Sequence, residues 1–180
     1  TALFVTATPT ASPTPAPPSP VASATPTATA TQGANGAACT RTVSPGGLTA
    51  AISAAQAGNV ICLRDGVYAE PLTPRVNGTS SAPITVRALN DGKATIDGQG
   101  VRKTVDLQRD WWVIEGIVAR NGLDNVFRVD GNNNVLRRVS AYDASDDINS
   151  SVIMLLGDNN LVEDAIVAGT GRYMAEIFEG

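Results

Sequence analysis

The chain has 180 residues, with 13 Lys or Arg, 17 Asp or Glu and no His. Without His, His-based triads and His metal sites are excluded, and a net charge of −4 argues against a nucleic-acid binder, which needs a basic face. The longest unbroken apolar run in the charged part, Val152 to Leu156, is too short to span a bilayer.

The chain opens on Thr1, Ala2, Leu3, Phe4 and Val5, a strand-like segment that reads either as a frayed terminus or as a strand donated to another chain. With no Met and no basic segment at its start, it reads as a processed mature chain. Residues 6–31 hold only 8 Thr, 7 Ala, 7 Pro, 3 Ser and one Val, and the first charged residue is Arg41. Such a tract cannot build a core, and its expected state is extended, partly polyproline II, with a reach of up to ~80 Å. Ser and Thr beside Pro are the composition of O-glycosylated stalks, so Thr8, Thr10, Ser12, Thr14, Ser19, Ser23, Thr25, Thr27 and Thr29 are candidate attachment sites. The expected organisation is an arm over 1–38 and one domain over 39–180.

The domain begins with a helical pattern near 46–58, where Leu48, Ile52 and Ala55 recur at helical spacing and Gly58 stands where a C-terminal cap belongs. A strand follows at Val60 to Leu63. Cys39 and Cys62 bracket this unit and read as two buried thiols or as a disulfide, the second favoured by the secreted character of the arm.

From residue 84 the chain consists of short β-rich runs separated by Gly, Asn and Asp, and the runs repeat. Val113, Val135 and Leu161 open similar segments at offsets of 22 and 26 residues. A second set aligns Val126 with Val152 and then with Ala175, so that Gly131, Gly157 and Gly180 coincide. Two strand sets alternating at this period predict a coil whose turns stack at ~4.8 Å, a parallel β-helix of four or five rungs some ~20–25 Å tall. Asn132, Asn133 and Asn134 fall at the same corner as Asn159 and Asn160, where Asn tolerates left-handed backbone and can stack.

The stretch Leu63-Arg64-Asp65-Gly66-Val67-Tyr68, then Ala82-Pro83-Ile84-Thr85-Val86-Arg87, then Val113-Ile114-Glu115-Gly116-Ile117, resembles the N-terminal part of polysaccharide lyases of the chondroitinase-B and alginate-lyase type, and equally their non-enzymatic relatives. The resemblance spans about residues 43–180 and implies an all-β, right-handed parallel β-helix. Those lyases use a Lys/Arg pair and acidic calcium ligands on rungs further along, so the resemblance carries no catalytic residue onto this chain.

Four sets of residues are chemical candidates. Glu115, Arg137 and Glu163 share one repeat position and read as a structural charge ladder, with a sugar-binding groove as the alternative. Asp143, Asp146 and Asp147 share a loop and are a weak Ca²⁺ candidate; no other cofactor is expected. Adjacent Trp111 and Trp112 should point to opposite faces of a strand, one into the core and the other towards a partner or a sugar ring. Asn77 and Asn149 head N-glycosylation sequons. Together these features suggest a secreted, glycosylated homopolymer, a filament whose subunits are joined by strand donation through the arm. The alternatives are a carbohydrate-active β-helix protein (a polysaccharide lyase-like fragment) and a stalked sugar-binding surface module. Neither nucleic acid nor a membrane span enters any of these readings.

Overall fold

The computed structural model describes residues 37–145 and 150–178. The expectations for the arm, for Asp146, Asp147 and Asn149, and for a strand donated by Thr1 to Val5 lie outside these residues.

The described chain is a parallel β-solenoid of three sheets. Sheet A stacks β1 (Arg41–Val43), β2 (Val60–Leu63), β4 (Ile84–Ala88), β7 (Trp112–Glu115), β10 (Val135–Arg137) and β13 (Leu161–Glu163). Sheet B stacks β3 (Gly66–Tyr68), β5 (Ala94–Asp97), β8 (Ile117–Arg120), β11 (Ser140–Tyr142) and β14 (Ile166–Ala168). Sheet C stacks β6 (Val105–Leu107), β9 (Phe127–Val129), β12 (Ser151–Leu155) and β15 (Tyr173–Ile177), and an isolated parallel bridge from Leu72 to Val105 extends it one turn earlier. All named strand pairs are parallel, as one strand per sheet per turn requires.

Alternate side chains point inwards and stack by type. Ile61, Val86, Ile114 and Leu136 form one column, Tyr68, Ile96, Ala119 and Ala141 a second, and Val105, Phe127 and Ile153 a third, all in one apolar core. Burial of each large member contributes ~1.5–3 kcal/mol, and the core spans every turn. In the last turn Leu161, Ile166, Tyr173, Met174, Ile177 and Phe178 are exposed, since no further turn of the described chain covers them.

Three corners per turn reverse the chain, and left-handed residues recur at each. Gly116, Arg138 and Asp164 join sheet A to sheet B, with φ of 64°, 50° and 52°. Gln99, Asn121 and Asp143 join sheet B to sheet C, and Trp111, Asn133 and Asn159 return the chain to sheet A. Non-glycine residues rarely occupy this region, and these recur because the stacked turns fix each corner from both sides. The Asn corner forms the expected ladder: Asn134 Oδ1 accepts the Trp112 N–H at 2.8 Å, and Asn160 Oδ1 accepts the Asn134 N–H at 2.9 Å. Gly157 is required at the neighbouring position because an added Cβ would collide with the Gly131 carbonyl one turn below.

The structure corrects the expectation in four places. Sheet A is six strands deep rather than four or five, because β1, before the capping helix, adds a strand to the one expected after it at Val60–Leu63. The helix, α1 (Leu48–Ser53), has only six residues; beyond it the Ala55 N–H turns back to Ile52 O, and the Gly58 N–H is taken by Ala82 O of the next turn. Trp111 lies at the corner and not on the strand, which begins at Trp112. In the last turn Ala175 pairs with Ile153, not Val152. The Gly alignment misplaced it by one residue, a slip that would have reversed every side chain of β15.

Cys39 and Cys62 form a disulfide that ties the entry of the domain to β2. Among the described residues no helix is long and apolar enough to cross a membrane.

Candidate functional site

Glu115, Arg137 and Glu163 are brought together on the outer face of sheet A, in direct register. Arg137 Nη1 lies 3.1 Å from Glu115 Oε1, and its Nε bonds Glu163. Arg138 at the adjoining corner bonds Asp91 Oδ2 at 2.8 Å and approaches Glu115 Oε2 at 3.8 Å. The hydrogen bond that Arg137 donates to Glu163 outweighs partial burial and holds the guanidinium above its ordinary pKa. Glu115 is 1% exposed and faces two guanidinium groups, so the arrangement is a ladder that holds turns together, and Glu115 is closed to a substrate.

Trp112 is fully buried and donates its Nε1–H to Val76 O at 2.9 Å. Trp111 is half-buried at its corner. Asn77 is exposed, and its Oδ1 accepts the Asp110 N–H at 3.3 Å. Asp143 Oδ1 accepts the Thr170 N–H at 3.1 Å. Among the described residues no group of three or more His, Cys, Asp or Glu is placed to hold a metal ion.

The corner between sheets B and C carries an open polar groove. Its cavity of about 370 Å³ is lined by residues from four successive turns, with Gln99, Asn121, Asp143, Ser145 and Thr170 as the polar members. Main chain and side chains both stitch the turns together here, the Thr170 hydroxyl donating to Ala144 O at 3.1 Å. The Gly100 N–H bonds Asn121 O at 2.8 Å, the Gly122 N–H bonds Asp143 O at 3.2 Å, and the Ala144 N–H bonds Thr170 O at 2.9 Å. Asp97 anchors the floor: its carboxylate accepts from Arg120 Nε at 2.9 Å, Asn121 Nδ2 at 3.0 Å and the Gln99 N–H at 2.9 Å. Burial raises the Asp97 pKa, but the bonds from Asn121, Gln99 and Arg120 together outweigh it and hold the carboxyl below the ordinary range. Arg102 donates to Gln99 Oε1 at 2.6 Å at the rim, and Ser145 Oγ, buried in the groove wall, has no partner among the described residues.

The arrangement sets amide and hydroxyl groups and the Asp143 carboxylate in a row along the solenoid axis, with the Arg102 guanidinium and the Asp97-bound Arg120 guanidinium beside them. A linear polymer laid along it meets the same corner again every ~4.8 Å. Of this site only Asp143 was singled out from the sequence. The usable signal was the register of Asp97, Arg120 and Tyr142 at one outward position of successive sheet B strands.

The model of a family described as Pel9A-like, right-handed beta helix region matches residues 27–163. Among solved structures, the pectate lyase Pel9A superposes with a TM-score of 0.61 at 20% identity, over 72% of this chain and 40% of that one. A PL6 family polysaccharide lyase from Pseudopedobacter saltans superposes with a TM-score of 0.55 at 18% identity, over 68% of this chain and 30% of that one. The chain thus spans less than half the length of either structure. No curated protein matches it.

Proposed function

Because the chain belongs to the Pel9A-like right-handed β-helix family, we propose that it is a carbohydrate-active β-helix protein that binds an acidic polysaccharide along the corner between sheets B and C. The observation that carries the reading is the polar groove shared by four stacked turns. A polymer with a short repeat matches a surface with a short repeat, and Gln, Asn and Thr side chains suit sugar hydroxyls. Arg102 at the same corner, whose partner is the neutral Gln99 amide, suits a uronate carboxylate, which guanidinium binds through paired hydrogen bonds. The solved structures with this fold, a pectate lyase and a polysaccharide lyase, support a polyuronate as the ligand class. The Cys39–Cys62 disulfide suits an oxidising, extracellular setting. The reading assigns binding to this corner and gives no residue a catalytic role. The expectation of a filament joined through the arm over 1–38 is supported neither by the fold nor by the comparisons.

Electrophoresis through gels containing polygalacturonate or alginate tests the reading. The chain should be retarded by one of these and not by neutral dextran. Thr170→Trp, at an exposed position in the groove, should abolish the retardation while leaving the thermal unfolding midpoint unchanged. Equal mobility in all gels, or retardation untouched by Thr170→Trp, would contradict it. Ultraviolet absorbance of unsaturated products in the same mixtures reports any lyase activity.

A further inference from the structure

A second cleft, of about 450 Å³, opens at the other end of the domain between α1 and the segment that leaves the solenoid after Leu72. This volume lies within the range of about 300–1,000 Å³ in which small-molecule sites fall. Ile52, Pro71 and Pro74 give it an apolar wall, and Thr49, Ser53 and Thr73 bring hydroxyl groups. Arg75 and Arg109 line it together, although 34 residues separate them. Arg109 Nε bonds the Arg75 carbonyl at 3.1 Å and its Nη1 bonds the Gln108 carbonyl at 3.3 Å, which fixes the two segments against each other and leaves Nη2 without a protein acceptor among the described residues.

Arg120, Arg128, Arg137 and Arg138 each have a carboxylate partner. Among the described residues neither Arg75 nor Arg109 has one, and no carboxylate lines the cleft. Residues 1–40 contain no acidic residue and so offer none. Two like charges held at one cleft repel each other, and an anion placed between them removes that cost. The apolar wall and the hydroxyl groups suit the two faces of a sugar ring.

The geometry points to a binding site for the carboxylate of a single acidic sugar residue, held by Arg75 and Arg109 and separate from the groove between sheets B and C. The inference rests on the polyuronate reading. It adds a site scaled to one sugar residue, which would take the end of a chain or a released monosaccharide.

Calorimetric titration of the full chain with galacturonic acid, galactose and inorganic phosphate tests it. Galacturonic acid should bind, and galactose, which lacks the carboxylate, should not. Phosphate should bind at least tenfold more weakly than galacturonic acid. Arg75→Ala and Arg109→Ala should each weaken galacturonic acid at least tenfold, and Ser53→Trp should block it without removing charge. All three positions are exposed, and an unchanged unfolding midpoint confirms that each variant folds. Equal binding of galactose, phosphate binding as tight as galacturonic acid, or affinity unchanged in the three variants would overturn the inference. The two readings fail differently: loss of all binding to acidic sugars and polygalacturonate overturns both, whereas polymer binding without monosaccharide binding overturns only this one.

Discussion

Replacing Arg137 with Met would remove the cation from the centre of the charge ladder while keeping most of the side-chain volume. The Glu115 carboxylate would then be left 1% exposed, with Arg138 Nη2 at 3.8 Å as its remaining cation. Removing one partner of a buried ion pair costs about 3–5 kcal/mol because the other charge stays buried and uncompensated. Arg138 offsets part of this, so the lower end, about 3 kcal/mol, applies. The loss of the contact to the half-exposed Glu163 adds at most about 1 kcal/mol. At 3–4 °C per kcal/mol for a domain of this size, the midpoint should fall by about 10 °C. Urea denaturation followed by circular dichroism measures the free-energy change. The double variant Glu115→Leu/Arg137→Met should recover most of it, since an apolar pair replaces a buried ion pair at little cost. A loss below about 1 kcal/mol for Arg137→Met would show that Glu115 behaves as a surface charge and would refute the reasoning.

Other consequences are open to the same measurements. Asn134→Ala removes the acceptor of the buried Trp112 N–H and should cost about 1–3 kcal/mol in urea unfolding. Reducing the Cys39–Cys62 bond, which closes a loop with a sequence separation of 23, should lower stability by about 3 kcal/mol in unfolding curves with and without reductant. The folded-state pKa of Asp97 is lowered, so its contribution is present above the unfolded carboxyl pKa and is lost as pH falls through the folded value. Asp97→Asn should therefore flatten the acid limb of a stability-against-pH profile and leave the alkaline limb unchanged.

Much of the solenoid was legible because its strands repeat. The offsets that aligned Val113, Val135 and Leu161 are the observed register of sheet A, and the same alignment placed Glu115, Arg137 and Glu163 in one column. The Asn corner was legible for the same reason, since a left-handed position recurring once per turn leaves a mark in the sequence. What breaks the repeat was not legible. β1 lies before the helix and has no counterpart at the right offset. The N-terminus of α1 is capped by Glu70, whose Oε1 accepts the Leu48 N–H at 2.9 Å, and no local pattern announces a cap from 22 residues away. The last turn was misread because the glycine alignment absorbed a one-residue change in spacing. The groove between sheets B and C escaped notice because each turn supplies a different polar residue to it. The Arg75–Arg109 cleft depends on an excursion outside the repeat.

The central claim is that a polyuronate lies along the corner between sheets B and C. Titration of an isotope-labelled chain with oligogalacturonate, followed by backbone amide NMR shifts, tests it most directly. The account predicts that the largest shifts fall at Gln99, Gly100, Asn121, Gly122, Ala144 and Thr170, on four successive turns. Shifts concentrated on the outer face of sheet A around Glu115 and Arg137, or no shifts at saturating ligand, would contradict it.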